Sequence, residues 1–186
     1  MTESKAEEFA AGVIRVAMEN FRRDGHVIGL ALIPTAHAML SVTLDDFTAK
    51  HGGELGKRMF GKEVRKIIDD GDVNMVAMVV ESWVGKLDLN DIPDNVDPQD
   101  YINQMREEYG QSLEDWPAHL RSEQIMVSVE TRDGEQLGYM VPIDSETREL
   151  SEPEKIPTEG MTGRFTSWFS PLPPTAHVTV PRKDYN

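Results

Sequence analysis

Apolar residues run without a break from Met75 to Val80, so both alternating faces of Met-Val-Ala-Met-Val-Val are hydrophobic. A strand of this kind is covered on both sides and lies inside a sheet rather than at its edge. The pattern therefore predicts a central strand over residues 73–83. At its end the polarity changes abruptly: Glu81 follows the apolar run and shares a face with Met75, Ala77, Val79 and Trp83. A carboxylate in that position must be paired, hydrogen-bonded, protonated or at the solvent boundary, because an unpaired buried charge is strongly destabilising.

Four further strand patterns and two helical ones surround this stretch. Residues 27–33 and 38–44 alternate as strands around the tight corner Pro34-Thr35-Ala36, with His37 at the start of the second. Residues 123–131 and 136–143 flank Arg132-Asp133-Gly134-Glu135, and Asp-Gly is among the strongest short hairpin signals. Ser4 and Glu7 have capping-box spacing ahead of a helix whose apolar face carries Phe9, Val13, Val16, Ala17 and Phe21, with Gly25 as its stop. A short turn at Asp45 or Asp46 precedes a second helix with a stripe of Leu55, Met59, Val64, Ile67 and Ile68. The expected architecture is α+β: a mixed or antiparallel sheet of about five strands, two amphipathic helices on one face, and an acidic helical insertion. Residues 1–150 form one domain in this reading, and 151–186 form a Pro-rich extension containing Phe165, Trp168 and Phe169. Such an aromatic cluster is rare in a purely disordered tail, and docking on its own domain is the favoured arrangement.

Charge changes the picture in two places. The 186 residues carry a formal charge of -14, which disfavours nucleic acid and anionic membranes and permits a basic protein partner or DNA mimicry, though acidity also serves solubility alone. Residues 88–116 hold nine of the acids, among them Asp91, Asp94, Asp97 and Asp100, against Arg106 alone. The spacing lacks the calcium-loop signature of paired acids, central Gly and terminal Glu, so a solvated acidic excursion with a helix over 98–109 is expected. The second helix is the opposite case, with Lys57, Arg58, Lys62, Arg65 and Lys66 on one short segment. Its Gly56-to-Lys62 spacing matches a phosphate-binding loop, but Glu63 stands where Ser or Thr would hold magnesium and no strand leads into it.

The chemistry-bearing residues are sparse. There is no cysteine, which removes disulfides and thiolate chemistry and fits a reducing compartment. The first residues lack the basic and apolar regions of a signal peptide, and a cytoplasmic location is expected. His26, His37, His51, His119 and His177 show no helical metal-binding pair. Pro34-Thr35-Ala36-His37 recurs as Pro174-Thr175-Ala176-His177, and His177-Val178-Thr179 resembles half of a two-histidine phosphoesterase site. The other half, His37-Ala38-Met39, lacks the hydroxyl residue. Glu130 approaches Glu81 if their strands pair in a suitable register, and two close carboxylates suggest a metal or a shared proton.

An apolar strand ending in Glu81-Ser82-Trp83, an acidic excursion, and then Glu123-Gln124-Ile125-Met126-Val127-Ser128-Val129-Glu130 together resemble bacterial and bacteriophage proteins of unknown function over residues 20–145. The resemblance implies a mobile-element origin and no catalytic residue. The expected function is a non-enzymatic interaction protein that meets a basic partner through Asp91, Asp94, Asp97 and Asp100, with Trp168 and Phe169 adding apolar contact and no cofactor required. Homo-oligomers are compatible with this reading. The alternative is a hydrolase or metal-dependent enzyme built on Glu81, Glu130, His37 and His177.

Overall fold

A computed structural model of the chain describes residues 4–85, 92–93, 95–158 and 168–169. The first helix, α1 (Lys5–Asp24), opens with the expected capping box: Ser4 accepts from the Glu7 N–H, and Glu7 accepts from the Ser4 N–H at 3.1 Å. It closes at Gly25, whose φ of 76° is the left-handed conformation that glycine adopts freely. Strands β1 (Leu30–Pro34) and β2 (Met39–Thr43) form an antiparallel hairpin. Residues 44–51, expected as a turn, form a full helix, α2 (Leu44–His51), followed by α3 (Gly53–Asp70). The central strand is β3 (Met75–Gly85). Helix α4 (Pro98–Tyr109) and two short 3-10 turns lead to β4 (Arg121–Thr131), β5 (Gln136–Ile143) and β6 (Glu154–Ile156).

All six strands form one antiparallel sheet in the order β2-β1-β3-β4-β5-β6. The fold class is α+β, as the sequence predicts. One strand was unforeseen: β6 belongs to the Pro-rich extension, so the domain does not end at residue 150. Side-chain volume explains how β6 fits, because a Cβ added at Gly138 would stand 2.8 Å from Ile156. The glycine makes room for the last strand.

The two amphipathic helices lie on opposite faces of the sheet, not on the same one. Helix α1 packs Ala6, Ala10, Val13, Ile14, Ala17 and Phe21 against Ala77, Val79, Ile125, Val127 and Val129. Helix α3 packs Phe60, Val64 and Ile68 against Ala31, Ile33, Val42, Val76 and Met78. The cause is the two-sided apolarity of β3, whose Val76, Ala77, Met78 and Val79 are all at most 3% exposed. One layer of helices covers only one of those faces.

Close backbone approach sets the register of α3. A Cβ at Gly56 would lie 2.5 Å from the Thr48 Cα and 2.6 Å from the Phe47 carbonyl oxygen, so α2 and α3 touch backbone to backbone there. That contact rotates the helix to bury Gly56 and Phe60, leaving Leu55 52% exposed where the sequence pattern expected it inside. It also keeps the Gly56–Lys62 segment in mid-helix, a place from which backbone N–H groups cannot cradle a phosphate. Arg132 ties the other end of α3 to the sheet: its Nε donates to the Val73 carbonyl at 2.9 Å and its Nη2 to the Ile68 carbonyl at 3.3 Å. No helix among the described residues is long and apolar enough to cross a membrane.

Since no flexible side-chain end is available to yield at Gly56, Gly56→Ala is expected to destabilise the fold by about 1–3 kcal/mol through overpacking. Urea denaturation measures this directly, and an unchanged midpoint would mean that α2 can shift freely.

Candidate functional site

The densest polar constellation forms around Arg148, a residue absent from the sequence-derived candidates. In the loop after β5, the Asp144 carboxylate accepts from the Glu146 N–H at 3.0 Å, the Thr147 N–H at 2.7 Å and the Thr147 hydroxyl at 3.0 Å. These bonds, the Thr147 N–H foremost, hold the Asp144 carboxyl below its ordinary pKa. The turn closes with the Arg148 N–H on the Asp144 carbonyl at 2.9 Å. Its geometry places Arg148 at a φ of 60°, the one non-glycine residue with positive φ among those described. For an L side chain this conformation costs about 1–2 kcal/mol.

The guanidinium makes four contacts that offset this cost. It pairs with Glu123 on β4, lies 3.6 Å from Glu81 Oε1 on β3, donates from Nη2 to the Gly25 carbonyl at 3.1 Å, and sits 5.0 Å above the Phe21 ring. Glu81 and Glu123 share the α1 face because Trp83 is registered opposite Glu123 and Glu81 lies two residues from Trp83. The second oxygen of Glu81 accepts from the Val27 N–H at 2.8 Å. Burial and the neighbouring Glu123 carboxyl push the Glu81 pKa above its ordinary 4.5, while the Val27 N–H and Arg148 oppose the rise. One guanidinium facing two carboxyls offsets part of the cost of holding the acids at the edge of the core. A cleft of about 440 Å³ lies beside it, lined by Phe21, Arg22, Gly25, Arg148, Glu149 and Leu150.

The sequence-derived candidates do not meet in this place. Glu130 is registered opposite Val76 and so faces α3, whereas Glu81 faces α1; the strands are neighbours, but the sheet separates the two side chains. His37 stands exposed at the tip of the β1–β2 hairpin, beyond the Met75 end of β3. Glu81 lies six residues along β3 from Met75, or about 20 Å at strand rise. His177, Asp91 and Asp94 lie outside the described residues. Among the described residues no three His, Asp or Glu side chains are grouped as metal ligands.

Glu130 has a different task. Its Oε2 accepts from the Trp168 N–H at 3.0 Å and its Oε1 from the Phe169 N–H at 3.2 Å. Trp168 is 3% exposed within the α3-side core, its carbonyl accepts from Arg65 at 3.1 Å, and Arg65 and Arg132 lie over the Trp168 and Phe169 rings at 5.7 and 5.2 Å. The expectation that Trp168 and Phe169 contact a partner is therefore corrected: burial, two backbone hydrogen bonds and cation–π contacts commit the pair to their own domain. The signal was present in the sequence as an acid on the α3 face of β4, but its partner is 38 residues away.

From residue 95 onward the acidic excursion is built of α4 and the two 3-10 turns. Asp97 caps α4 by accepting from the Gln99 N–H at 2.7 Å. Met105 and Trp116 anchor the segment in the protein, at 7% and 3% exposure, and the Trp116 indole donates to the Gly110 carbonyl at 2.9 Å. Asp97, Asp100, Glu107, Glu108, Glu114 and Asp115 all remain exposed. Beside them a cleft of about 470 Å³ has Trp83, Ile102, Leu113 and Trp116 in its walls, and Arg121 lies 4.4 Å over the Trp83 ring.

Two measurements probe the buried acids. Because folded Glu81 keeps its proton to higher pH than the unfolded chain, the native state binds more protons above 4.5, and its stability falls as pH rises through that window. Glu81→Gln removes this dependence while keeping an oxygen for Val27, so the variant should gain on wild type as pH rises above 4.5 in urea unfolding. A difference constant with pH would contradict the raised pKa. Glu130→Ala should strand two N–H donors and cost about 2–3 kcal/mol. With Trp83 and Trp116 replaced by Phe, it should also shift Trp168 emission to the red.

No protein-family model, curated protein or solved structure matches this chain. The geometry of the folded chain therefore carries the functional reading.

Proposed function

We propose that this is a non-enzymatic interaction protein that binds a basic protein partner through the acidic surface of α4 and the 3-10 turns after it. The observation that carries this reading is the row of six exposed carboxylates from Asp97 to Asp115 on a segment pinned by Met105 and Trp116, with Arg106 the one base among residues 97–116. An ordered acidic surface attracts a basic partner over distance and rejects acidic ones. Its fixed conformation also avoids the entropy cost of ordering a loop on binding.

Apolar contact in this reading comes from the adjacent cleft. Its Trp83, Ile102, Leu113 and Trp116 walls suit a single hydrophobic anchor on the partner, the arrangement in which binding energy concentrates. Trp83 takes the part that the sequence pattern gave to Trp168. The buried carboxylates are structural: Glu130 has one N–H on each oxygen, and the two oxygens of Glu81 face Val27 and Arg148.

Partner capture from lysate of the source organism tests the proposal, comparing wild type with the triple variant Asp100→Lys, Glu107→Lys, Glu114→Lys. This set spares Asp97, whose loss would unwind the start of α4. A control carrying Asp69→Lys, Asp70→Lys and Glu152→Lys has the same net charge with the reversals elsewhere on the surface. The expected result is a partner whose retention falls with salt, survives in the control and weakens about tenfold or more in the α4 variant. Equal retention by both variants would overturn the acidic-surface reading.

A further inference from the structure

The sheet has two edges, and they are built differently. At one end β6 is only three residues long, is bracketed by Pro153 and Pro157, and carries Glu154 and Lys155, both exposed. Shortness, proline and charge are the devices that stop an edge from pairing with another chain. At the other end β2, Met39-Leu40-Ser41-Val42-Thr43, has none of them. Its Met39 and Leu40 are 52% and 39% exposed, and among the described residues no strand pairs with its outer side.

The backbone groups on that side can be identified. Across the hairpin the Thr35 N–H donates to the Ala38 carbonyl at 2.9 Å and the Leu44 N–H to the Gly29 carbonyl at 2.7 Å. Alternation along an antiparallel ladder then turns the peptide groups of Leu40 and Val42 toward β1 and those of Met39, Ser41 and Thr43 outward. The outward row is a template for an added strand.

Charge selects the occupant. Residues 25–44 include no Asp, Glu, Lys or Arg, in a chain that is 28% charged and carries -14 overall. Two copies brought together through most of their surface would set like charges against each other. Along β2 they would not.

We propose that β2 is a self-pairing edge through which two copies of this chain form a two-fold dimer, joining their sheets in one continuous antiparallel sheet. Centred on Ser41, the ladder sets Ser41 opposite Ser41 of the second copy, Met39 opposite Thr43, and Leu40 opposite Val42. The Ser41 N–H and carbonyl bond reciprocally, and the Thr43 N–H reaches the Met39 carbonyl of the second copy. The exposed Leu40 side chain gains an apolar neighbour on the α3 side and Met39 a Thr methyl on the α1 side. The pairing is isologous, so it closes at two copies and leaves the guarded β6 edges outermost. It also leaves the α4 surface free in each copy.

Sedimentation velocity of the full chain over a wide concentration series tests this. Wild type is expected to approach twice the chain mass. Ser41→Pro deletes an outward N–H that the β1 ladder does not use, and Met39→Lys installs the missing guard charge; each should weaken the dimer at least tenfold, with far-UV dichroism unchanged and the urea midpoint unchanged at dilutions where wild type too is monomeric. Leu55→Lys, at an exposed apolar position on α3 away from β2, should leave it intact. A wild type that stays monomeric throughout overturns the proposal and leaves the edge to an extended segment of a different protein. A dimer that survives both Ser41→Pro and Met39→Lys overturns it in favour of another interface. Should either variant unfold, the other decides.

Discussion

Everything in this fold depends on β3 being apolar on both faces. Because Val76 and Met78 point one way and Ala77 and Val79 the other, with none of the four more than 3% exposed, the sheet needs a cover on each side. The chain supplies them from one direction, α1 before the sheet begins and α3 immediately before β3 itself. The covers are offset: α1 lies over β3, β4 and β5, while α3 lies over β1, β2 and β3. The vacancy that the α3 offset leaves over β4 receives Trp168 and Phe169, held by Glu130. On the α1 side, among the described residues, a cleft beside β1 is lined by Val16, Ile28, Leu30 and Leu32, the first two 47% and 44% exposed. Among the described residues, the seat of Trp168 and the cleft beside β1 are thus two consequences of one offset.

The acids illustrate two ways in which a carboxylate is kept near a core. Glu130 is satisfied by backbone N–H groups, one on each oxygen. Glu81 is satisfied by the Val27 N–H on one oxygen and the Arg148 guanidinium beside the other. Both arrangements use charge-assisted hydrogen bonds to cancel a desolvation cost, and both join elements distant in sequence. The Arg148 cluster gathers the end of α1, β3, β4 and the loop after β5 at a single point. The backbone strain at Arg148 is intelligible on the same terms, since a relaxed turn would aim the guanidinium elsewhere.

Much of the architecture could be read before any coordinates. The capping box, the Asp-Gly hairpin and the two-sided central strand are local patterns whose physics does not depend on distant partners. Docking of Trp168 and Phe169 on their own domain was also legible from composition, but the particular partners set by tertiary contact were not. The face of α3 that is buried follows from backbone contact at Gly56, which hydrophobic periodicity does not encode, so Leu55 was placed inside and Phe60 overlooked. The separation of Glu81 from Glu130 follows from a register in which Glu81 meets Ile125 and Val76 meets Glu130. A shift of one residue in that pairing would have put the two acids on one face. Arg148 had no motif at all. Its importance comes from a turn made by Asp144 and Thr147 and from partners 25, 67 and 123 residues away, Glu123, Glu81 and Gly25.

Charge, finally, is sorted into zones rather than spread evenly. The exposed side of α3 carries Arg58, Lys62 and Lys66 at helical spacing, α4 and its turns carry acids, and residues 25–44 carry no charged side chain. A chain selected only for solubility has no need of such sorting, because any arrangement with the same net charge repels its copies at long range. Sorting matters once surfaces must discriminate. An acidic zone attracts cationic partners, while a neutral strand edge admits only a surface that can complete its hydrogen bonds, since every unpaired backbone group buried there would go unsatisfied. The two zones therefore select by different physics, one long-ranged and weakened by salt, the other short-ranged and largely indifferent to it. For the two proposed contacts, that difference means that salt separates one from the other.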